Sequence, residues 1–258
     1  METLEFVRNG NKVGIVYLNR PPYNPLSSKV YKELLELFKS LENDEEIRAI
    51  ILTGKGDRAF AAGADIKEMM NLNGVEMMEM SRISREATNK VESIGKPVIA
   101  AVDGLALGGG CELALACDFR ICSRTTKFGL PEINLGIIPG GGGTQRLPRL
   151  IGQGKAKELL YFGEMIEADH ALKIGLVNKV VKSEEVLDES VRWAEKLAQK
   201  PYVAMKMLKT AVQKGTEVDL QTGLDLETAC FGNAFASEDR VEGMQSFVEK
   251  RQPQFVGR

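Results

Sequence analysis

The stretch Gly104-Leu-Ala-Leu-Gly-Gly-Gly-Cys-Glu-Leu-Ala114, followed by Pro131-Glu132 and by Gly140-Gly-Gly-Gly-Thr-Gln-Arg146, sets two carboxylates, Glu112 and Glu132, beside glycine-dense turns. A glycine run that opens a helix leaves the first amides without intrahelical partners, and they point at whatever lies beyond the helix end. An acid/base pair next to such donors has the parts for moving protons beside a carbonyl. The N–H groups hold an enolate oxygen while the carboxylates give and take protons. Gly140–Gly143 is not a phosphate-binding P-loop, because Thr144-Gln145 stands where that motif needs Lys followed by Ser or Thr.

Working outward, the chain repeats strand, turn and helix over its first two-thirds. Thr3–Arg8 and Lys12–Leu18 flank Asn9-Gly10, a hairpin signal. Asn19-Arg-Pro-Pro-Tyr-Asn-Pro25 is a loop, since its prolines forbid helix and ladder alike. Ser27 or Ser28 caps a helix with Val30, Leu34, Leu37, Phe38 and Leu41 on one face. Ile47–Thr53 and Val98–Val102 read as buried strands, and Phe119–Cys122 as a shorter one. Between them, Arg58-Ala-Phe60 leads into a small-residue turn at Ala61–Ala64. Asp65 opens a helical stretch to Met70, and a long helix runs from about Gly74 to Ile94. From Val186 onward there is no strand signal, only amphipathic helical spacing. The division expected is a core over 1–185 that carries the site and a helical region over 186–258 that packs on it or on a neighbouring subunit.

The repeated strand, turn and helix make this an α/β chain, and its composition is ordinary for a soluble globular protein: 258 residues, 43% hydrophobic and 27% charged. With 34 basic against 36 acidic residues the net charge is −2, which gives no footprint for nucleic acid or an anionic membrane. No apolar run approaches the ~18 residues needed to span a bilayer, and the N-terminus has no signal-peptide pattern. A cytoplasmic protein is the expectation. Cys111, Cys117, Cys122 and Cys230 include no C-x-x-C pair and read as small buried hydrophobes. The single histidine, His170, reads as a surface residue. Met69, Met70, Met77, Met78 and Met80 read as helical core, with the lining of a flexible acyl pocket as the alternative.

Ala59-Phe-Ala-Ala-Gly-Ala-Asp-Ile-Lys-Glu-Met69, Lys96-Pro-Val-Ile-Ala-Ala-Val102, Ala106-Leu-Gly-Gly-Gly-Cys-Glu-Leu-Ala114, Phe128-Gly-Leu-Pro-Glu132 and Pro139-Gly-Gly-Gly-Gly-Thr-Gln-Arg-Leu147, in that order, resemble the enoyl-CoA hydratase (crotonase) family. Gly175-Leu-Val177 and Glu242-Gly-Met-Gln-Ser-Phe-Val-Glu-Lys250 extend the likeness almost to the C-terminus. The resemblance implies a spiral of ββα units with a helical C-terminal region, assembled as trimers that pair into hexamers. It implies an acyl-CoA thioester substrate, no metal or redox cofactor, and a place in fatty acid metabolism (β-oxidation).

By motif, the family's oxyanion-hole amides fall on Ala64 and Gly109, and its two catalytic glutamates on Glu112 and Glu132. The resemblance implies that Glu112 activates water and Glu132 protonates C2, with Gly140 N–H helping to hold the water or substrate. Ala62 and Ile66 match backbone positions near the CoA adenine. Phe247 and Lys250 match residues that reach CoA, typically from a neighbouring subunit. The departure is at Pro22-Tyr23, where hydratases often carry a basic residue near the CoA phosphates; Lys55, Arg58 and Lys67 are the candidates to compensate.

The reading is therefore a hydratase that interconverts trans-2-enoyl-CoA and 3-hydroxyacyl-CoA, short chains first. The rivals are a double-bond isomerase or a cyclic dienoyl-CoA hydratase on the same scaffold. From another class comes a non-catalytic RNA-binding or assembly protein, which the intact glutamate pair and near-neutral charge disfavour.

Overall fold

After an opening hairpin that stays within one sheet, each turn of the chain lays down two strands and then a helix or turn, and those two strands go to different sheets. In the computed structural model, which describes residues 1–258, a hairpin first pairs β1 (Leu4–Arg8) antiparallel with β2 (Val13–Leu18). α1 (Ser28–Glu42) follows the proline loop, capped by the Ser27 side chain, which accepts a hydrogen bond from Val30 N–H. Then come β3 (Ala49–Gly54), β4 (Ala59–Ala62), α2 (Ile66–Met69) and α3 (Gly74–Ser93). β5 (Val98–Val102), β6 (Leu105–Leu107) and α4 (Gly109–Leu115) form the next turn, and β7 (Phe119–Ser123) with β8 (Lys127–Gly129) the third.

The first strand of each of the pairs β3/β4, β5/β6 and β7/β8 joins the hairpin and β10 (Lys179–Val181) in a six-stranded sheet, β1-β2-β3-β5-β7-β10. The second strand of each joins β9 (Met165–Glu167) in a four-stranded sheet, β4-β6-β8-β9. α5 (Gly143–Ile151), α6 (Gln153–Phe162), β9 (Met165–Glu167), α7 (Ala168–Lys173) and β10 (Lys179–Val181) complete the spiral. All pairings are parallel except β1–β2 and β8–β9. The protein is thus an α/β spiral of ββα-type units, with α8 (Val186–Ala198), α9 (Tyr202–Gly215), α10 (Leu220–Phe235) and α11 (Glu238–Glu249) following it.

The large sheet is covered on both faces, so its central strands are apolar throughout. Side chains alternate across it with period two. Ile50, Leu52, Val98 and Ala100 pack with α1 and α3 residues such as Leu34, Phe38 and Val91. Ile51, Ile99 and Ile121 face the other way, onto Val186, Ala194 and Ala198 of α8. α9 is tied to the spiral by a buried ion pair, Lys209 Nζ to Asp118 Oδ2 at 2.7 Å, and Asp118 also accepts from Val98 N–H.

Several local expectations change. Ala61 and Ala62 belong to β4, where Ala61 is fully buried and pairs with Ala106, so the turn is confined to Gly63-Ala64. α4 ends at Leu115, which leaves Cys117 beyond the helix with its thiol donating to Leu113 O. All four cysteines are free and buried. Met80 alone of the methionine group is core; Met70, which caps α2, and Met78 of α3 are 80% and 75% exposed. His170 is half-buried in α7 rather than fully exposed.

Candidate active site

The parallel strands of the small sheet bring the site together at their carboxyl ends. Ala62 of β4 pairs with Leu107 of β6, and Leu107 with Gly129 of β8. The residues just past these ends are Ala64, Gly109 and Glu132, from segments far apart in sequence. Ala64 is pinned from both sides: Leu26 N–H donates to Gly63 O, and Asp65 N–H to Leu26 O. Its own N–H and that of Gly109 donate to no atom of the chain. A Cβ built on Gly109 would lie 3.7 Å from Ala64 N, so the two free amides border one small volume. Gly110 must be glycine for α4 to sit against β4, because a Cβ there would fall 2.0 Å from Ala61 O.

Glu112, one turn into α4, is 4% exposed. Its Oε1 accepts two backbone hydrogen bonds, from Gly141 N–H and Gly143 N–H, each at 2.8 Å. The glycine turn before α5 therefore wraps the carboxylate; a Cβ on Gly141 would collide with Oε2 at 2.6 Å. Burial pushes the Glu112 carboxyl above its ordinary pKa, while those amides and the charge of Arg146 pull it back toward the ionised form.

Glu132 lies in a single 3-10 turn, Pro131–Leu135, which starts on a proline and stops at Gly136 in the left-handed region. Its Oε1 rests against Gly108, 3.0 Å from where a Cβ would be. Its Oε2 is sealed from solvent without any hydrogen-bond partner. Burial pushes its pKa up to about 7, and the nearby Glu112 charge adds to the rise. The two glutamates thus sit in opposite environments, one held by donors and one left bare.

That bare carboxyl costs stability once it ionises. An acid whose folded pKa is about 7 against an ordinary 4.5 binds its proton more tightly in the folded chain. The contribution of this one group to stability is then most favourable below about pH 4.5, falls as pH rises toward 7, and stays low above that. Glu132→Gln should therefore gain roughly 2 kcal/mol over wild type between pH 4.5 and pH 8. Thermal unfolding of both proteins at the two pH values checks it; an equal difference at both would remove the explanation.

The remaining sequence-predicted residues spread around this centre. Gly140 is exposed at the edge of the turn that holds Glu112. Ala62 and Ile66 flank the Gly63-Ala64 turn, and Ala62 N–H donates to Tyr23 O. Phe247 is 84% exposed and Lys250 caps α11; no extensive packing joins that helix to the site's elements in the same chain. The proline loop is fixed by buried Asn24, whose amide donates to Lys55 O and Ala59 O, and by the Arg20–Asp65 ion pair at 2.9 Å. Of the basic candidates, Lys55 is engaged with Glu5 and the Tyr17 ring, and Arg58 lies over Tyr23. Lys67 is exposed without an ion pair. No group of three or more His, Cys, Asp or Glu side chains converges to hold a metal ion.

Three contributors escape the sequence reading. Gly141 and Gly143 turn their amides onto Glu112, and nothing short of the folded turn reveals which glycines do so. Tyr31 of α1 brings its buried hydroxyl to 2.9 Å from the built Gly109 Cβ. Its signal was available, since it neighbours Val30 on the buried face, but a tyrosine there reads as core.

The chain is similar to known proteins over nearly its whole length. The family model described as enoyl-CoA hydratase/isomerase matches residues 8–258. A crotonyl-CoA hydratase of Syntrophomonas wolfei is 45% identical over 96% of this chain and 95% of its own length. A short-chain-enoyl-CoA hydratase of Clostridium acetobutylicum is 46% identical over 93% of this chain and 92% of its own. The crystal structure of an enoyl-CoA hydratase from Bacillus anthracis superposes with a TM-score of 0.96 at 42% identity, covering 99% of this chain and all of that one.

Proposed function

The chain belongs to the enoyl-CoA hydratase/isomerase family, and we propose that it is the hydro-lyase that adds water across the trans-2 double bond of a short-chain enoyl-CoA to give the 3-hydroxyacyl-CoA. The observation that carries the reading is the contrast between the two carboxylates. Hydration needs one group that takes a proton from water as its oxygen attacks C3, and another that delivers a proton to C2. Glu112, with Oε1 held by two amides, is the base. Glu132, bare and with its pKa near 7, carries the proton. The thioester oxygen lies between Ala64 N–H and Gly109 N–H, which take up the enolate charge as C3 is attacked. In the reverse direction the two carboxyls exchange roles. The chemistry as derived calls on no metal or redox group.

Through the cycle the pair holds one proton, passed from Glu132 to the substrate while water gives one to Glu112. Such a pair titrates as a unit. The kcat/KM for hydration should fall as pH rises through about 7, where the shared proton is lost. The reaction takes up no net proton, so its equilibrium constant is independent of pH. The ratio of kcat/KM in the two directions equals that constant, and dehydration of 3-hydroxybutyryl-CoA must show the same limb. A kcat/KM that stays level from pH 6 to 8 in both directions would contradict a shared proton.

The reading extends to assembly, place and pathway. Leu208, Val212, Leu220 and Phe231 are exposed apolar residues on α9 and α10, which supports trimers that pair into hexamers, with Phe247 and Lys250 reaching a neighbour's CoA. No helix is long and apolar enough to cross a membrane, and the relatives compared are bacterial, in support of a cytoplasmic enzyme serving β-oxidation or its reverse. Loss of the conjugated enoyl-thioester absorbance on mixing with crotonyl-CoA, with 3-hydroxybutyryl-CoA identified by mass, tests the activity. Turnover of a 3-enoyl or cyclic dienoyl thioester instead would move it to a rival reaction of the same scaffold.

A further inference from the structure

Arg146 stands where helix electrostatics disfavours it. It lies in the first turns of α5, close to the positive end of the helix dipole, and no acidic residue shares the first turn. Its side chain is nonetheless only 14% accessible and makes four hydrogen bonds. Nε donates to Glu92 Oε1 at 3.0 Å, and Nη2 to Glu92 Oε2 and Asn89 Oδ1, both at 2.7 Å. Nη1 donates to Gly141 O at 2.9 Å. The guanidinium also fills the hollow over Gly142, where φ is +113° and a Cβ would fall 2.0 Å from Nη1. Glu92 and Asn89 belong to α3, so one planar group joins α3 to the turn before α5.

The inner side of that turn is the side whose Gly141 and Gly143 amides hold Glu112 Oε1. Guanidinium outside and carboxylate inside thus grip the same turn and meet at Gly141, in a run of glycines with no side chains to fix their own conformation. We infer that Arg146 is a positioning residue for the hydration reaction: clamped by Glu92 and Asn89, it holds the Gly140–Gly143 turn so that its amides grip Glu112 and aim the carboxylate at the water. The inference rests on the proposed role of Glu112 as the base. A bidentate fork is needed, because a point charge would attract Glu92 without fixing the direction of the Gly141 carbonyl.

The consequence is legible in the pH profile. The charged and titratable groups facing Glu112 are Arg146 of α5, Glu132 of the 3-10 turn, Tyr31 of α1 and Cys111 of its own helix. Of these, Arg146 is the cation, and it acts on Glu112 both directly and through the amides. Without it the carboxyl should keep its proton to higher pH.

Arg146→Gln, Arg146→Lys and Glu92→Gln, assayed with crotonyl-CoA from pH 5 to 9, test the inference. For Arg146→Gln we expect kcat to fall about 10- to 100-fold, the range for an outer residue that orients a reacting one, with KM little changed. The low-pH limb of kcat/KM should move to higher pH, and millimolar guanidinium should restore part of the rate. Arg146→Lys should fall between this and wild type, and Glu92→Gln should shift the limb in the same direction by less. Wild-type kcat with an unmoved limb would overturn the inference. So would a loss that tracks a lowered melting temperature, with neither limb shift nor rescue. If Arg146→Gln fails to fold, Glu92→Gln carries the same comparison. If wild type does not turn over crotonyl-CoA, the reaction assignment fails. The clamp is then judged by the Glu112 titration itself, read as the 13C-carboxyl signal absent from Glu112→Gln, which must rise in Glu92→Gln for the clamp to stand.

Discussion

Glu112→Gln and Glu132→Gln should each leave the chain folded and cut crotonyl-CoA turnover by roughly 100- to 10,000-fold, the range for loss of a positioned acid or base. Glutamine keeps the shape of either side chain. In Glu112→Gln its carbonyl oxygen can still accept from Gly141 and Gly143 N–H, so packing around the turn survives. What is lost is the capacity to take a proton from water. In Glu132→Gln the amide fills the same sealed space as the bare Oε2, but has no acidic proton to give to C2. Because the two carboxyls work on one proton cycle, the double variant should be little slower than the worse single one. Additive losses would mean that the glutamates act in separate steps. Near-wild-type rates in either single variant, with crotonyl-CoA as substrate, would remove that residue from the reaction.

Gly109→Pro should be comparably damaging for a different reason, and Gly109→Ala tells the causes apart. Gly109 is the first residue of α4, a position where proline is accommodated because the N–H has no intrahelical partner. Proline there deletes one of the two free amides that border the thioester oxygen's place. Loss of one such donor costs about 100- to 1,000-fold in kcat. Proline also brings a Cβ, which would lie 2.9 Å from the Tyr31 hydroxyl and 3.5 Å from Leu26 Cδ1. Alanine adds the same carbon and keeps the N–H. If Gly109→Ala loses a modest factor and Gly109→Pro loses the large one, the amide is the cause. Equal losses would place the damage in packing against Tyr31 and leave Gly109 without a donor role.

How much of this was legible before folding depends on range. Val98–Val102 and the Val30-to-Leu41 face declare themselves because five or more residues carry the period. β6, β8, β9 and β10 have three residues each, too few for any alternation to emerge, and β6 is hidden between glycines. The pairing of β6 with β4 and β8 is what sets Ala64, Gly109 and Glu132 side by side. Those residues could be named from short motifs, because each motif concentrates the glycine, proline or small residue its turn requires. Their opposite electrostatics could not be named. It depends on Gly141 and Gly143 closing over Glu112 and on nothing closing over Glu132, contacts between segments with no local trace in sequence. Arg146 shows the same limit: it sits inside a quoted motif, yet its partners Glu92 and Asn89 lie on a helix more than fifty positions earlier.

The most direct test of the central claim is to let the purified protein act on crotonyl-CoA in D2O and to locate the deuterium by NMR and mass. Addition of water through the glutamate pair predicts 3-hydroxybutyryl-CoA with a single deuterium at C2 and none at C4. Deuterium at C4, or a double bond moved to C3 with no hydroxyl gained, would contradict it and identify proton transfer along the chain without hydration.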